Sequence, residues 1–194
     1  MSQRSQRLVL VAHCCLNQNA KAGGLAREPG IILEVLAVLH AHRLGVIQLP
    51  CPEMATAGVR RWWQTKRQYD IPSFRHTCRA QAAAIVDQLV DYSANGYRLV
   101  ALLGIDGSPS CGIRTCGTDC DAGGPFHIPA PAPPRYERGI LMEELLAEIT
   151  ARGLPEPPAL GLPLEEDVPL SEVAAGLDAF LQAVLQADAT TFPR

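Results

Sequence analysis

The chain has 194 residues, 47% hydrophobic and 19% charged, the mixture of one globular domain long enough to bury a sizeable core. Its 17 basic and 20 acidic side chains leave a formal charge of −3, which argues against a general nucleic-acid binder. There is no run of 18 apolar residues to span a membrane, and the apolar stretch 8–12 is too short for a signal-peptide core, so a cytoplasmic location is expected.

Residues 7–12, RLVLVA, read as a buried parallel strand that stops at His13-Cys14-Cys15. A polar, glycine-rich loop leads to a helix over 31–43, apolar nearly all round and therefore expected to be largely buried. Residues 46–49 form a second strand ending at Pro50-Cys51-Pro52. After a long connection over 54–74, a helix is predicted over 75–92, with Asn95-Gly96 as its stop. A third strand, 97–103, runs into a Gly- and Pro-rich segment at about 104–138 whose middle, 125–134, reads as a loop or lid. A helix over 140–152, a strand over 159–162 and a last helix with Ser171 as its N-cap complete the chain. This alternation predicts a single α/β domain over 1–194. It would hold an open, mostly parallel sheet of four to five strands with helices on both faces, in a Rossmann-like arrangement.

Seven cysteines in a reducing compartment point to metal or catalysis rather than to disulfides. Cys14, Cys51 and Cys111 each fall just beyond the C-terminal end of a different predicted strand. In an open parallel sheet those ends share one edge, where ligands bind, so three cysteines far apart in sequence can meet. Three soft thiolates suit zinc or an iron–sulfur cluster, and three protein ligands leave one position open.

The motifs HCCLNQN, QLPCPE and GIDGSPSCG, in this order and each after a strand, resemble those of the thiouracil desulfidase family and its desulfidase relatives. The resemblance covers about residues 8–112, with a weaker echo in RGILMEELL. It implies a 4Fe-4S cluster held by Cys14, Cys51 and Cys111 with the fourth iron free. Cys14 is preferred to Cys15 because the family's first cysteine lies two residues before the leucine of that loop. The implied reaction is non-redox removal of sulfur from a small thiolated compound such as a thiopyrimidine. Its thiocarbonyl sulfur would sit on the free iron while water attacks the carbon. Glu53 would activate that water, and Ser108 and Ser110 would hold the ring or pass it a proton. The chain departs from the simpler desulfidases at Asn17-Gln18-Asn19 and in its long Pro-rich segment.

Other readings stand beside these. The same three cysteines could serve a zinc-thiolate hydrolase, or a sulfur- or cluster-binding protein without turnover. Cys116 or Cys120 could close the fourth position, although loop thiols are the plainer reading, and Cys78 is expected in the core. His13 could support the cluster or simply pack at a strand end. Trp62 or Trp63 could stack on a base, with one ring of the pair turned inward. Arg60, Arg61, Lys66 and Arg67 could meet a phosphate of a nucleotide substrate, although a solvated basic loop is the plainer reading, and Glu143-Glu144 and Glu165-Glu166-Asp167 read as solvent-facing charge. Asp106 could orient the serine loop. The partners expected are a small thiolated substrate and, at most, a second copy in a homodimer, with neither a nucleic-acid polymer nor a membrane.

Overall fold

Four apolar runs become the four strands of one sheet: β1 (Arg7–Val11), β2 (Gly45–Gln48), β3 (Arg98–Ile105) and β4 (Ala159–Leu162). All pair in parallel, in the order β2-β1-β3-β4. The computed structural model describes residues 4–117, 135–164 and 167–191. The central strands β1 and β3 are buried along most of their length, which is why they read as unbroken apolar stretches. At the edge, β2 alternates: Ile47 is buried while Val46 and Gln48 are exposed.

The helices are α1 (His13–Leu16), α2 (Leu33–Ala41), α3 (Pro52–Ala57), α4 (Lys66–Tyr69), α5 (Pro72–Ala94), α6 (Ile140–Ala151) and α7 (Leu170–Thr191). Phe74, Cys78, Ala82, Ile85, Val86 and Leu89 give α5 a continuous buried stripe at helical spacing. It packs on α6 and β3, whereas α2 packs on α7 and α7 on β3 and β4. A hydrogen bond of 2.7 Å between His42 and Asp178 joins the α2–α7 layer.

Several boundaries differ from expectation. The α5 helix starts at Pro72 rather than at 75, because a proline at the first helical position lacks only an N–H that would go unpaired there. The α2 helix is shorter than expected and is not buried all round. Val35 and Leu39 face inward, and Leu33 is 66% exposed, because α2 meets α7 along one face only. The connection after β2 holds two short helices, α3 and α4, which are too brief for an apolar period to show. Ser171 lies inside α7, not at its cap. The supposed lid at 125–134 falls outside the described residues.

The connections place the site. From β1 the chain crosses to β2 on one side, then returns past β1 to β3 on the other. The reversal falls between β1 and β3, and a crevice opens at such a switch point beyond the strands' C-terminal ends. Cys14, Cys51 and Cys111 follow the three strands that meet there.

Candidate metal centre

The first cysteine sits on a single turn of helix, α1, that begins directly where β1 ends. Cys14 is half-buried and Cys15 wholly buried. Gln18, itself buried, fixes this turn by donating from Nε2 to the Cys14 carbonyl at 2.5 Å and accepting from the Arg27 amide at 2.8 Å. Cys51 occupies the N-cap of α3, where its sulfur accepts from the Met54 amide at 3.4 Å. Cys111 follows β3 in the loop Ser108-Pro109-Ser110-Cys111, in which Ser108 Oγ accepts from the Cys111 amide at 3.0 Å.

That loop is gripped from both sides. Gly104 of β3 passes so close that a Cβ would fall 2.2 Å from the Cys111 carbonyl oxygen. Gly139, just before α6, comes equally near, its Cβ position lying 2.4 Å from the Ser110 carbonyl carbon. The first amides of α6 then donate to the loop, Ile140 to the Pro109 carbonyl and Leu141 to the Ser110 carbonyl, both at 3.0 Å. Asp106 closes the far end. Its Oδ1 accepts from the amides of Ile113, Arg114 and Thr115 at 2.9–3.4 Å, so it orients this loop as the sequence suggested it could.

The three thiols act on one another electrostatically. Cys14 is pushed up to about 12, chiefly by burial and then by Cys51 and Glu53 against the opposing pull of Lys21. Cys111 is held well above the ordinary thiol range by burial, Cys51 and Cys14, and Cys51 is raised by burial and Glu53. Cys15, by contrast, feels Cys14 and Lys21 but neither of the other two. The thiols coupled to one another are therefore Cys14, Cys51 and Cys111, and Cys51 and Cys111 are both tied to Glu53, through Arg61 and Ser110 respectively. Three thiols kept protonated by burial and by the mutual repulsion of their thiolates are a donor set that a cationic, sulfur-loving group would ionise and hold. Among the described residues no three His, Cys, Asp or Glu side chains close to single-ion distances. A cluster, in which each thiolate binds its own iron, does not require that closure.

Glu53 stands next to the trio. Ser110 Oγ donates to its Oε1 at 2.6 Å and lies 3.6 Å from the Cys111 sulfur, while Ser108 Oγ lies 3.3 Å behind Ser110 Oγ. Arg61 holds the other carboxylate oxygen at 3.2 Å. The same guanidinium reaches the Ala20 carbonyl at 2.8 Å, the Gly58 carbonyl at 3.1 Å and the Cys51 sulfur at 3.8 Å. Its side chain is 4% exposed, so Arg61 departs from the solvated basic loop expected of this stretch, while Arg60 and Arg67 are exposed as expected. The buried Tyr69 hydroxyl has no hydrogen bond of normal geometry and faces the Glu53, Arg61 and Cys51 charges; burial and Glu53 push its pKa upward. Sequence reasoning named Arg61 only as part of a basic loop and missed Tyr69. One signal was available: of two adjacent arginines after a glycine turn, one can face in, as one of two adjacent tryptophans does here.

The remaining candidates separate cleanly. Trp62 is 49% exposed and Trp63 is the half-buried one. Lys66 is buried, not solvated, and pairs with Glu137 at 3.1 Å and Glu143 at 2.5 Å. Glu143 and Glu144 also bind Arg75, at 3.0 and 2.9 Å, so they are internal ion-pair members rather than free surface charge. Cys116 belongs to this second network. Its sulfur contacts Glu137 Oε1 at 3.2 Å, its charged neighbours are Glu137, Lys66 and Glu143, and it does not join the trio. Cys78 lies in the core, as expected. Cys120 and Glu165-Glu166 are outside the described residues. No described helix is long and apolar enough to cross a membrane.

The uncharacterized protein MJ0003 of Methanocaldococcus jannaschii is 33% identical over 146 residues, which span 75% of this chain and 80% of that protein. No family model matches the chain, and no solved structure matches it.

Proposed function

We propose that this chain, which belongs to the family of the archaeal protein MJ0003, is an iron–sulfur-dependent desulfidase of small thiolated compounds such as thiopyrimidines. The observation that carries the reading is the Glu53–Ser110 hydrogen bond of 2.6 Å beside three converging, non-adjacent cysteines at the sheet's switch point. Cys14, Cys51 and Cys111 would hold a 4Fe-4S cluster. When bound, such a group supplies Lewis acidity toward a soft sulfur atom.

The net reaction is hydrolytic: a thiocarbonyl and water give a carbonyl and sulfide, with no change in oxidation state. The protein's part in it is proton handling. Arg61 fixes Glu53 Oε2, which leaves Oε1 to take a proton from water. Ser110 Oγ, donating to that same Oε1, can give its proton to the substrate ring and recover one from the carboxyl. Ser108 Oγ, which accepts from the Ser110 and Cys111 amides, keeps the relay aligned with the cysteine.

The test is strictly anaerobic purification followed by iron and sulfide analysis and an assay of 2-thiouracil consumption. About four irons per chain and release of uracil are expected. A colourless protein that keeps one zinc through iron and sulfide treatment would instead establish the zinc hydrolase. Bound sulfide with no consumption of any thioamide would establish a carrier. Glu53→Gln is expected to keep its iron and lose about 100-fold or more in kcat, the usual scale for a general base. Unchanged turnover would remove Glu53 from the mechanism.

A further inference from the structure

Tyr69 is 4% exposed, and its hydroxyl is buried without a hydrogen bond of normal geometry. Its place is fixed from behind. The ring packs on Phe74, with centroids 4.6 Å apart, and α4, which carries it, is closed by the Thr65–Gln68 capping box. Lys66, at the start of the same turn, is anchored to Glu137 and Glu143. Buried polar atoms in folded proteins are nearly always paired, so an unpaired hydroxyl held this firmly calls for a partner.

The groups around the hydroxyl narrow the choice. The charges that act on it are those of Glu53, Arg61 and Cys51. Arg61 carries only donors, so it can serve the hydroxyl oxygen but cannot accept its proton. Glu53 already has Oε1 bonded by Ser110 and Oε2 by Arg61. The Cys51 sulfur has two donors, the Met54 amide at 3.4 Å and the Arg61 guanidinium at 3.8 Å. As a neutral thiol it needs no more. As a buried thiolate it would carry a full charge, and a charged acceptor forms the stronger hydrogen bonds. The hydroxyl is closed to solvent, so its acceptor is a protein atom rather than a diffusing ligand.

We propose that Tyr69 is a positioning residue of the metal centre, its hydroxyl donating to the Cys51 sulfur once that thiol is ionised by the group it binds. The proton stays on the Tyr69 oxygen and no covalent bond changes; the hydroxyl only gains an acceptor. Hydrogen bonds to ligand sulfurs draw electron density from them, and they are one of the levers that set the reduction potential of an iron–sulfur cluster. Tyr69 thus adjusts the donor strength of Cys51 without touching metal or substrate. The inference rests on the three-cysteine centre of the proposed function and not on its desulfidase chemistry.

The experiment compares the full wild-type chain with Tyr69→Phe, each purified anaerobically and treated with iron and sulfide. Iron–sulfur stretching bands are recorded by resonance Raman in ordinary and in heavy water, and the reduction midpoint is measured by redox titration. Loss of the hydroxyl is expected to shrink the deuterium shift of the iron–cysteine stretch and to move the midpoint to a more negative potential. The melting temperature before iron treatment should not fall, because the hydroxyl bonds nothing in the untreated chain. A fall there would make Tyr69 a purely structural residue and overturn the proposal. An unchanged deuterium shift or an unchanged midpoint would overturn it as well. A wild-type chain that takes up no cluster would overturn the three-cysteine centre and this role together. Both shifts in Tyr69→Phe with no thiouracil turnover in wild type would instead overturn the desulfidase reading alone.

Discussion

Arg61 shows how one side chain can assemble a site it does not lead. Its guanidinium ties the carboxylate of Glu53, the sulfur of Cys51 and two loop carbonyls into one buried unit. Removing the cation leaves a carboxylate whose side chain is 12% exposed without its partner. Arg61→Met is therefore expected to lower stability by about 3 kcal/mol, measured by urea denaturation. Arg61→Lys should recover only part of this, since a point charge cannot reach all four acceptors as the planar fork does. A loss below 1 kcal/mol would mean that water replaces the cation. This residue also marks a limit of sequence reading. Arg60 and Arg61 are chemically alike, and only the turn at Gly58, with φ +78°, decides which of them faces inward.

Among the elements, α6 matters most to the site, although it contributes no sulfur. Its leading amides and Gly139 press on the Ser110 backbone, so the position of Cys111 depends on how α6 begins. A methyl group at 139 has no room, because the nearest atoms are backbone. Gly139→Ala is expected to destabilise the chain by about 3 kcal/mol and, on the cluster reading proposed above, to lower the iron it takes up. Gly30→Ala, where a Cβ would meet nothing within 4 Å, should change neither. The apolar runs of β1 and β3 and the stripe of α5 were legible because burial imposes a pattern on side chains. The short helices α3 and α4 were not, since each is held by local caps rather than by a face. The Thr65 capping box and the Cys51 N-cap are visible as signals only once the helix is known.

For the molecule as a whole, burial of thiols links folding to alkalinity. Burial pushes Cys78 and Cys116 up to about 12, helped by Glu144 and Glu137 respectively, from an ordinary 9.0. The folded state thus keeps protons that the unfolded chain releases. Each thiol's stabilisation is whole below about pH 9 and is lost as pH rises from there toward 12. The slope is at most about 1.4 kcal/mol per pH unit for each thiol. The urea midpoint of the metal-free chain is expected to fall steadily above pH 9, and less steeply in Cys116→Ala; equal slopes would place that thiol outside the linkage. The sequence placed three cysteines at one sheet edge from strand order alone. It could not divide Cys116 from them, because the network that claims this thiol is built from Lys66 and the distant pair Glu137 and Glu143. The same long reach sets the order of events during synthesis. All three converging cysteines lie within the first 111 residues, yet the loop holding Cys111 is built against residues 139–142, and Asp106 donates its amide to Leu162 of β4. A nascent chain therefore exposes its thiols to the cell well before the ribosome has delivered the segments that fix their geometry. On the proposed cluster reading, the three-cysteine site reaches its final form only after residues 139–162 have been added.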